Sequence, residues 1–259
     1  MMAATHSIKI FGERNTSTNA LKQLVEKNAD VVVRPSTAEA VSPFVKWQIR
    51  LINRLPHSLK WKEAALDRAF SKTSPSFAWK HAATSFSSVE DFKDVPVIFM
   101  TRHPASWLKA LLRRPYNALS PIERPLDKFV TAPWQTLKRD RLEGRLLTPA
   151  VLYNEKIASY LSFAKQLEAA GYAYRFIRFE DFCVDQRTVF EEIRPLLKDA
   201  VDQPNIIRSS TKDASKDWRY YQDYYGQQKW VKDIPEAAKP IIAKVIDWDQ
   251  LSPFEYSPI

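Results

Sequence analysis

Residues 8–21 read IKIFGERNTSTNAL. The run Ser7–Phe11 (SIKIF) is short and apolar, as a buried strand is. STNALKQLVEKN then places Ala20, Leu21, Leu24 and Val25 on one side at helical spacing. Between the two lies a turn of small polar residues with one arginine. A strand that passes through such a turn into a helix leaves the first backbone N–H groups of that helix without partners, at its positive dipole end. An anion is the natural occupant of that position. Thr16, Ser17, Thr18 and Asn19 add side-chain donors, and Arg14 adds a fixed cation. The competing reading is an ordinary polar turn in which Thr16 or Ser17 caps the helix.

Further along, VPVIFMT (95–101) is a continuous apolar run, as expected of a strand covered on both faces. Three further runs read as strands: DVVVRP (30–35), SFAWK (76–80) and AYRFIRF (173–179). Helical patterns separate them. RHPASWLKALLRR carries Pro104 in its first turn, and residues 150–170 form a long helix stopped at Gly171. Residues 38–71 read as helical with a break near Pro56, and residues 115–135 as irregular. Strands alternating with helices predict a three-layer α/β/α architecture around a mostly parallel sheet of about five strands, of the P-loop NTPase-like kind. No linker or repeat interrupts the pattern, so residues 1–259 are expected to form one domain.

Composition narrows the functional classes. The chain has 259 residues, 45% of them hydrophobic, and a net charge of +9. That charge favours an anionic partner: nucleic acid, a membrane surface or a phosphorylated small molecule. Cys183 is the only cysteine, which excludes an intrachain disulfide or a thiolate zinc cluster and fits a reducing compartment. The first strand begins too early for a signal peptide to precede it, and no apolar run reaches the roughly 18 residues of a membrane span, so a cytoplasmic location is expected.

The turn invites comparison with the nucleotide-binding pattern G-x-x-x-x-G-K-[ST]. Gly12 fits the first position, but Ser17, Thr18 and Asn19 occupy the other three. The phosphate-gripping lysine and the hydroxyl that holds Mg²⁺ are both missing. The turn therefore reads as an anion cradle suited to chemistry that does not depend on Mg²⁺.

In these residues the sequence resembles the sulfotransferases that use 3′-phosphoadenosine 5′-phosphosulfate (PAPS). GERNTSTNAL is similar to the family turn of the R-N-S-G-T-N type, with Ser17 where that turn has Gly. The resemblance implies that Arg14, Asn15, Thr16, Ser17, Thr18 and Asn19 hold the 5′-phosphosulfate. VIFMTRHPASWLKALLRRPY resembles the element that binds the 3′-phosphate, implying a role for Arg102. The family serine eight residues on is Ala110 here, and Ser106 is the substitute one turn earlier. SFAWKHAAT places Lys80 and His81 where the family has a basic residue and its catalytic His, and RFEDF (178–182) resembles a later family segment.

The resemblance implies sulfonate transfer from PAPS to an acceptor hydroxyl, with a carbohydrate acceptor by analogy with glycan-modifying members. Such a reaction needs a base, donors for the leaving phosphate and a grip on the nucleotide. His81 is assigned the first role, because the intrinsic pKa of histidine lies near neutrality. Arg14, Lys80 and the loop N–H groups are assigned the second. Arg102 and Ser106 are assigned the third, with Lys212, Lys216 or Arg219 as late basic contacts on STKDASKDWRYY. The bland alternatives are a capping histidine at His81, an Arg102 paired with Glu180 or Asp181, structural roles for those two carboxylates, and a solvated helix end at Arg113 and Arg114.

FVKWQIRLINRLPHSLKWK (44–62) combines aromatics with a stripe of Lys46, Arg50 and Arg54. It suits an anionic membrane surface, a polyanionic acceptor, or plain packing on the sheet with its charges in water. Two rival functions stand beside the sulfotransferase. A small-molecule kinase lacks its Walker residues here, and a nucleic-acid-binding module rests on the high pI of about 9.5 without any recognisable nucleic-acid motif.

Overall fold

Side-chain alternation along two short strands sets the layers of the computed structural model, which describes residues 6–37, 41–55, 58–116, 118–209 and 215–259. In β1 (Ser7–Gly12), Ile8 and Ile10 pack on one face of the sheet while Phe11 packs on the other. In β3 (Val97–Thr101), Ile98 and Met100 join the first face, and Val97 and Phe99 the second. Every residue of β3 is buried, as its unbroken apolar run requires. β2 (Val32–Val33) pairs with the outer edge of β1, and β6 (Tyr174–Arg178) with the far edge of β3. The four strands are all parallel, in the order β2-β1-β3-β6.

Helices cover both faces. Leu21, Leu24 and Val25 of α1 (Thr18–Asn28) pack on the Ile8/Ile10 face, beside Val189, Phe190 and Ile193 of α8 (Gln186–Ile193). The Phe11/Phe99 face takes Trp107, Leu108 and Leu111 of α4 (Pro104–Arg113), together with Tyr160 and Phe163 of the long α6 (Pro149–Ala169). Gly171, just past that helix, has φ of +73°, the left-handed conformation that a helix stop favours. The second face also carries α5 (Leu126–Thr131), α9 (Trp218–Gly226), α10 (Lys229–Lys232) and α11 (Lys239–Val245), while α7 (Phe179–Val184) follows β6 directly and bridges the two cores through Phe179 and Phe182.

Three expectations need correction. SFAWK (76–80) is not a fifth strand. Pro75–Phe77 form a single 3-10 turn, and the segment makes isolated bonds to both sides instead of a ladder: Lys80 N–H to Ser36 O and Gly12 N–H to Lys80 O. It crosses the carboxyl end of β1 with Trp79 packed into a third small core against Leu66 and Phe70. Second, residues 115–135 hold α5 and also β4 (Trp134–Gln135), which pairs antiparallel with β5 (Leu146–Leu147) in a separate ribbon. Third, the 38–71 segment resolves into α2 (Pro43–Ile52) and α3 (Leu59–Phe70); Pro56, assigned to the break, lies outside the described residues.

Candidate active site

The turn after β1 is built by close approach. A Cβ on Gly12 would lie 2.9 Å from Met100 Cβ and equally near Thr16 and Thr18, so only glycine lets β3 and the turn sit this close. Asn15 and Ser17 then adopt φ of +64° and +61°. Left-handed backbone at two non-glycine residues is costly, and such residues are a recurrent element of the backbone concavities that hold anions. Thr16 does not cap α1: its hydroxyl donates to Glu13 O at 2.6 Å. Ser17 occupies the cap position, yet its side chain makes no capping bond. The N–H groups of Asn15, Ser17, Thr18 and Asn19 meet no acceptor among the described residues. The expected helix cap is absent, and the open helix end remains.

These N–H groups border a cavity of about 450 Å³, within the roughly 300–1,000 Å³ typical of small-molecule sites. Asn15, Ser17, Thr18 and Asn19 line it, along with Lys80, His81 and Arg102. The loop, Arg102 and His81 thus share one cavity. Seven cationic side chains line it: Arg14, Lys62, Lys80, Arg102, Arg113, Arg114 and Arg139. No carboxylate among the described residues does. Arg113 and Arg114 are therefore part of the wall and not merely a solvated helix end.

Arg102 is held from several sides. Its Nε and Nη2 donate to Ser106 Oγ at 2.9 and 2.8 Å, one helical turn along α4. Nη2 also donates to Tyr225 OH at 2.7 Å, and Nη1 to Asn15 O at 2.6 Å. The guanidinium stacks 4.1 Å from the Phe179 ring centroid. It forms no ion pair with Glu180, which instead accepts from His103 N–H and Tyr256 OH and serves the fold. One Nη1–H of Arg102 keeps no partner among the described residues, and Arg102 lines the cavity.

His81 Nδ1 lies 2.5 Å from Gly12 O. A carbonyl can only accept, so Nδ1 carries the proton and Nε2 keeps its lone pair. Nε2 has no partner among the described residues. Burial, then the charges of Lys80 and Arg14, push the imidazole pKa well below its ordinary value of 6.5, so the ring is neutral at physiological pH. Trp79 packs edge-on against it, with centroids 5.1 Å apart. Lys80 donates to Asn19 Oδ1, pinning the cation to the first turn of α1.

Arg14 departs from its expected role. It is 2% exposed, and it ion-pairs with Glu13 at 3.2 Å and with Asp140 at 3.3 Å. Its guanidinium lies 4.8 Å over Trp79, whose ring also carries Arg139 at 4.3 Å. Burial alone would lower its pKa, but the carboxylates of Asp140, Glu13 and Glu63 raise it. Its charge is thus compensated from below, and it acts as a floor for the cavity. Asp140 in turn takes Lys156 of α6 at 3.2 Å, and Lys156 Nζ donates to His81 O. This buried Glu13–Arg14–Asp140–Lys156 network joins the loop to the histidine. Sequence reading missed it, as it missed Trp107, whose Nε1 donates to Arg14 O at 2.8 Å, and Tyr153, whose hydroxyl donates to Arg102 O at 2.6 Å. The carboxylate beside Arg14 in GERN was the one signal on offer.

Thr16 is buried beneath the loop and does not line the cavity, and neither do Lys216 and Arg219. Lys216 instead sits 4.6 Å over the Tyr220 ring. Lys212 lies outside the described residues. From the same region Trp218, Tyr221 and Tyr225 supply an aromatic wall.

The chain matches no protein-family model, and no curated protein matches it in sequence.

Proposed function

We propose that this chain is a sulfotransferase that moves a sulfonate group from PAPS to an acceptor hydroxyl, on a P-loop-like frame. One observation carries the reading: an uncapped α1 N-terminus lines a cavity rich in cations, and among the described residues that cavity has no lining carboxylate and His81 Nε2 beside it has no partner. Four N–H groups without acceptors among the described residues and a helix dipole suit a phosphosulfate. Arg102, fixed by Ser106 and Tyr225, suits the second phosphate of a 3′,5′-bisphosphate, which planar guanidinium donors recognise well. The aromatic wall of Trp218, Tyr221 and Tyr225 suits a purine.

In this reading His81 Nε2 takes the proton of the acceptor hydroxyl as the new O–S bond forms. Lys80 and the loop N–H groups stabilise the charge that gathers on the leaving phosphate when its bond to sulfur breaks. The Glu13–Arg14–Asp140–Lys156 network holds loop and base in register. A carbohydrate hydroxyl is the acceptor class that the resemblance favours.

Thermal unfolding with adenosine 3′,5′-bisphosphate in a chelating buffer, beside Mg·ATP, tests the nucleotide. Stabilisation by the bisphosphate supports the reading. Stabilisation by Mg·ATP alone makes the chain a kinase-like protein, and salt-sensitive binding of random DNA without a nucleotide response makes it a nucleic-acid binder.

A further inference from the structure

We infer that the outer face of α2 and the first turn of α3 docks on an anionic lipid bilayer. α2 has two apolar sides. Val45 and Ile49 point inward and pack against the small core of Leu66, Phe70 and Trp79. The opposite side packs on no core among the described residues, and α2 contains no buried residue. Phe44 is 62% exposed, Trp47 54%, Leu55 57% and Trp61 66%, with Leu51 and Leu59 at 40% and 41%. Phe44, Trp47 and Leu51 recur at helical spacing, and the rings of Phe44 and Trp47 stack with centroids 6.0 Å apart. Trp47 and Trp61 are the two exposed tryptophans of the chain's eight. Isolated apolar residues on a surface are ordinary, but five on one helix pair, with Leu55 between the helices, mark an interaction face.

Charge selects the partner. Between Ser42 and Lys62 the chain carries Lys46, Arg50, Arg54, Lys60 and Lys62 and no aspartate or glutamate. A second copy docked on the same face by two-fold symmetry would set these cations against themselves. A sulfated or phosphorylated glycan would satisfy the cations and stack on the tryptophans, yet it offers nothing to three exposed leucines. An anionic bilayer satisfies all of them: leucine and phenylalanine enter the acyl boundary, tryptophan sits at the headgroup level, and the lysines and arginines meet lipid phosphates. Lys62, Leu66 and Phe70 of α3 belong to the cavity wall, so the docked face and the cavity share this helix. An acceptor carried on a lipid would meet His81 there. That last step rests on the sulfotransferase reading, whereas the docking does not.

Sedimentation of the full chain with vesicles of equal parts phosphatidylcholine and phosphatidylglycerol, beside vesicles of phosphatidylcholine alone, tests the docking. Binding to the anionic vesicles, weakened by salt and with a blue shift of tryptophan emission, is expected. The double variant Trp47→Ala/Trp61→Ala should lose at least about tenfold in vesicle affinity. The triple variant Lys46→Gln/Arg50→Gln/Arg54→Gln should lose the preference for anionic lipid. All five positions are exposed, and an unchanged thermal midpoint in the bisphosphate assay shows that the fold and nucleotide site survive. Absence of vesicle binding overturns the proposal. So does vesicle binding that the tryptophan double variant leaves intact, because that is adsorption by net charge. Dextran sulfate binding with the same tryptophan dependence, and no vesicle binding, would reassign the face to a glycan. None of these outcomes touches the nucleotide reading, which the bisphosphate assay decides alone.

Discussion

His81 Nδ1 donates to the carbonyl oxygen of Gly12 at 2.5 Å, the last residue of β1, where the turn into α1 begins. The bond fixes the tautomer and aims Nε2 at the same cavity as the open N–H groups. A positioned base of this kind contributes about 10²–10⁴-fold to rate. His81→Ala should therefore lower turnover by about that factor while the thermal shift with the bisphosphate persists. Wild-type turnover in this variant would remove His81 from the mechanism.

Burial, Lys80 and Arg14 keep this imidazole well below its ordinary pKa of 6.5. A bound polyanion offsets the two cations, so the nucleotide should raise the His81 pKa toward its ordinary value. The chain has only 4 histidines, and NMR titration of the ring Cε1–H signals with and without the bisphosphate reads the shift directly. A His81 pKa that stays put or falls on binding would place the anion away from the loop.

Arg102 and Ser106 are one functional unit, with two N–H donors of the guanidinium converging on one hydroxyl. Arg102→Ala should cost about tenfold to a hundredfold in bisphosphate affinity, the range for a lost charge-assisted hydrogen bond. Arg102→Lys should rescue little, since an ammonium has three donors and no fixed fork, and Ser106, Tyr225 and Asn15 would leave none for the phosphate. Ser106→Ala removes only the positioning contact and should weaken binding by about fivefold at unchanged kcat. Calorimetric titration of the three variants checks the order.

Much of this arrangement was legible in the sequence, and the reason is local chemistry. The strand–turn–helix of residues 7–28, the buried run at 97–101 and the Arg102–Ser106 spacing are short-range patterns. SFAWK misled because its alternation of aromatic and polar residues mimics a strand. Pro75 starts a turn there, and Lys80 and Trp79 answer to Asn19 and Arg14, which lie far off in sequence. The Arg14–Asp140 pair is 126 residues apart, and no periodicity announces a buried ion pair at that distance. For the same reason Arg14 read as a free cation, and the cavity is lined by Arg113 and Arg114 but not by Lys216 or Arg219.

Buried charge networks are sensitive to the loss of one member. Asp140 is fully buried between Arg14 and Lys156, and its backbone partner is Leu137 N–H at 2.8 Å. Burial would raise its pKa, but Arg14 and Lys156 hold it below its ordinary value. Asp140→Asn leaves two buried cations with only Glu13 between them and should cost about 3–5 kcal/mol. Denaturant unfolding measures this, and a change under about 1 kcal/mol would mean that the network contributes little to stability.

His103 is expected to contribute to the acid sensitivity of the fold. Its Nε2 donates to Ser257 O at 2.9 Å, and its Nδ1 accepts Ala105 N–H at 3.3 Å as the cap of α4. Protonation of Nδ1 would destroy that cap and place a charge in a buried site beside Arg102. Burial first, and then the Arg102 charge, bring its pKa from 6.5 down to about 4. Between those values the unfolded chain binds more protons than the folded one, so stability rises with pH across this window and falls on acidification. Full displacement from 6.5 to about 4 corresponds to a loss of about 3 kcal/mol. His103→Asn keeps an acceptor near the cap without a titrating ring. Its unfolding free energy should therefore change less between pH 6.5 and 4 than that of the wild-type chain. Equal pH slopes in the two proteins would assign the acid sensitivity to other groups, with His81 the first to examine.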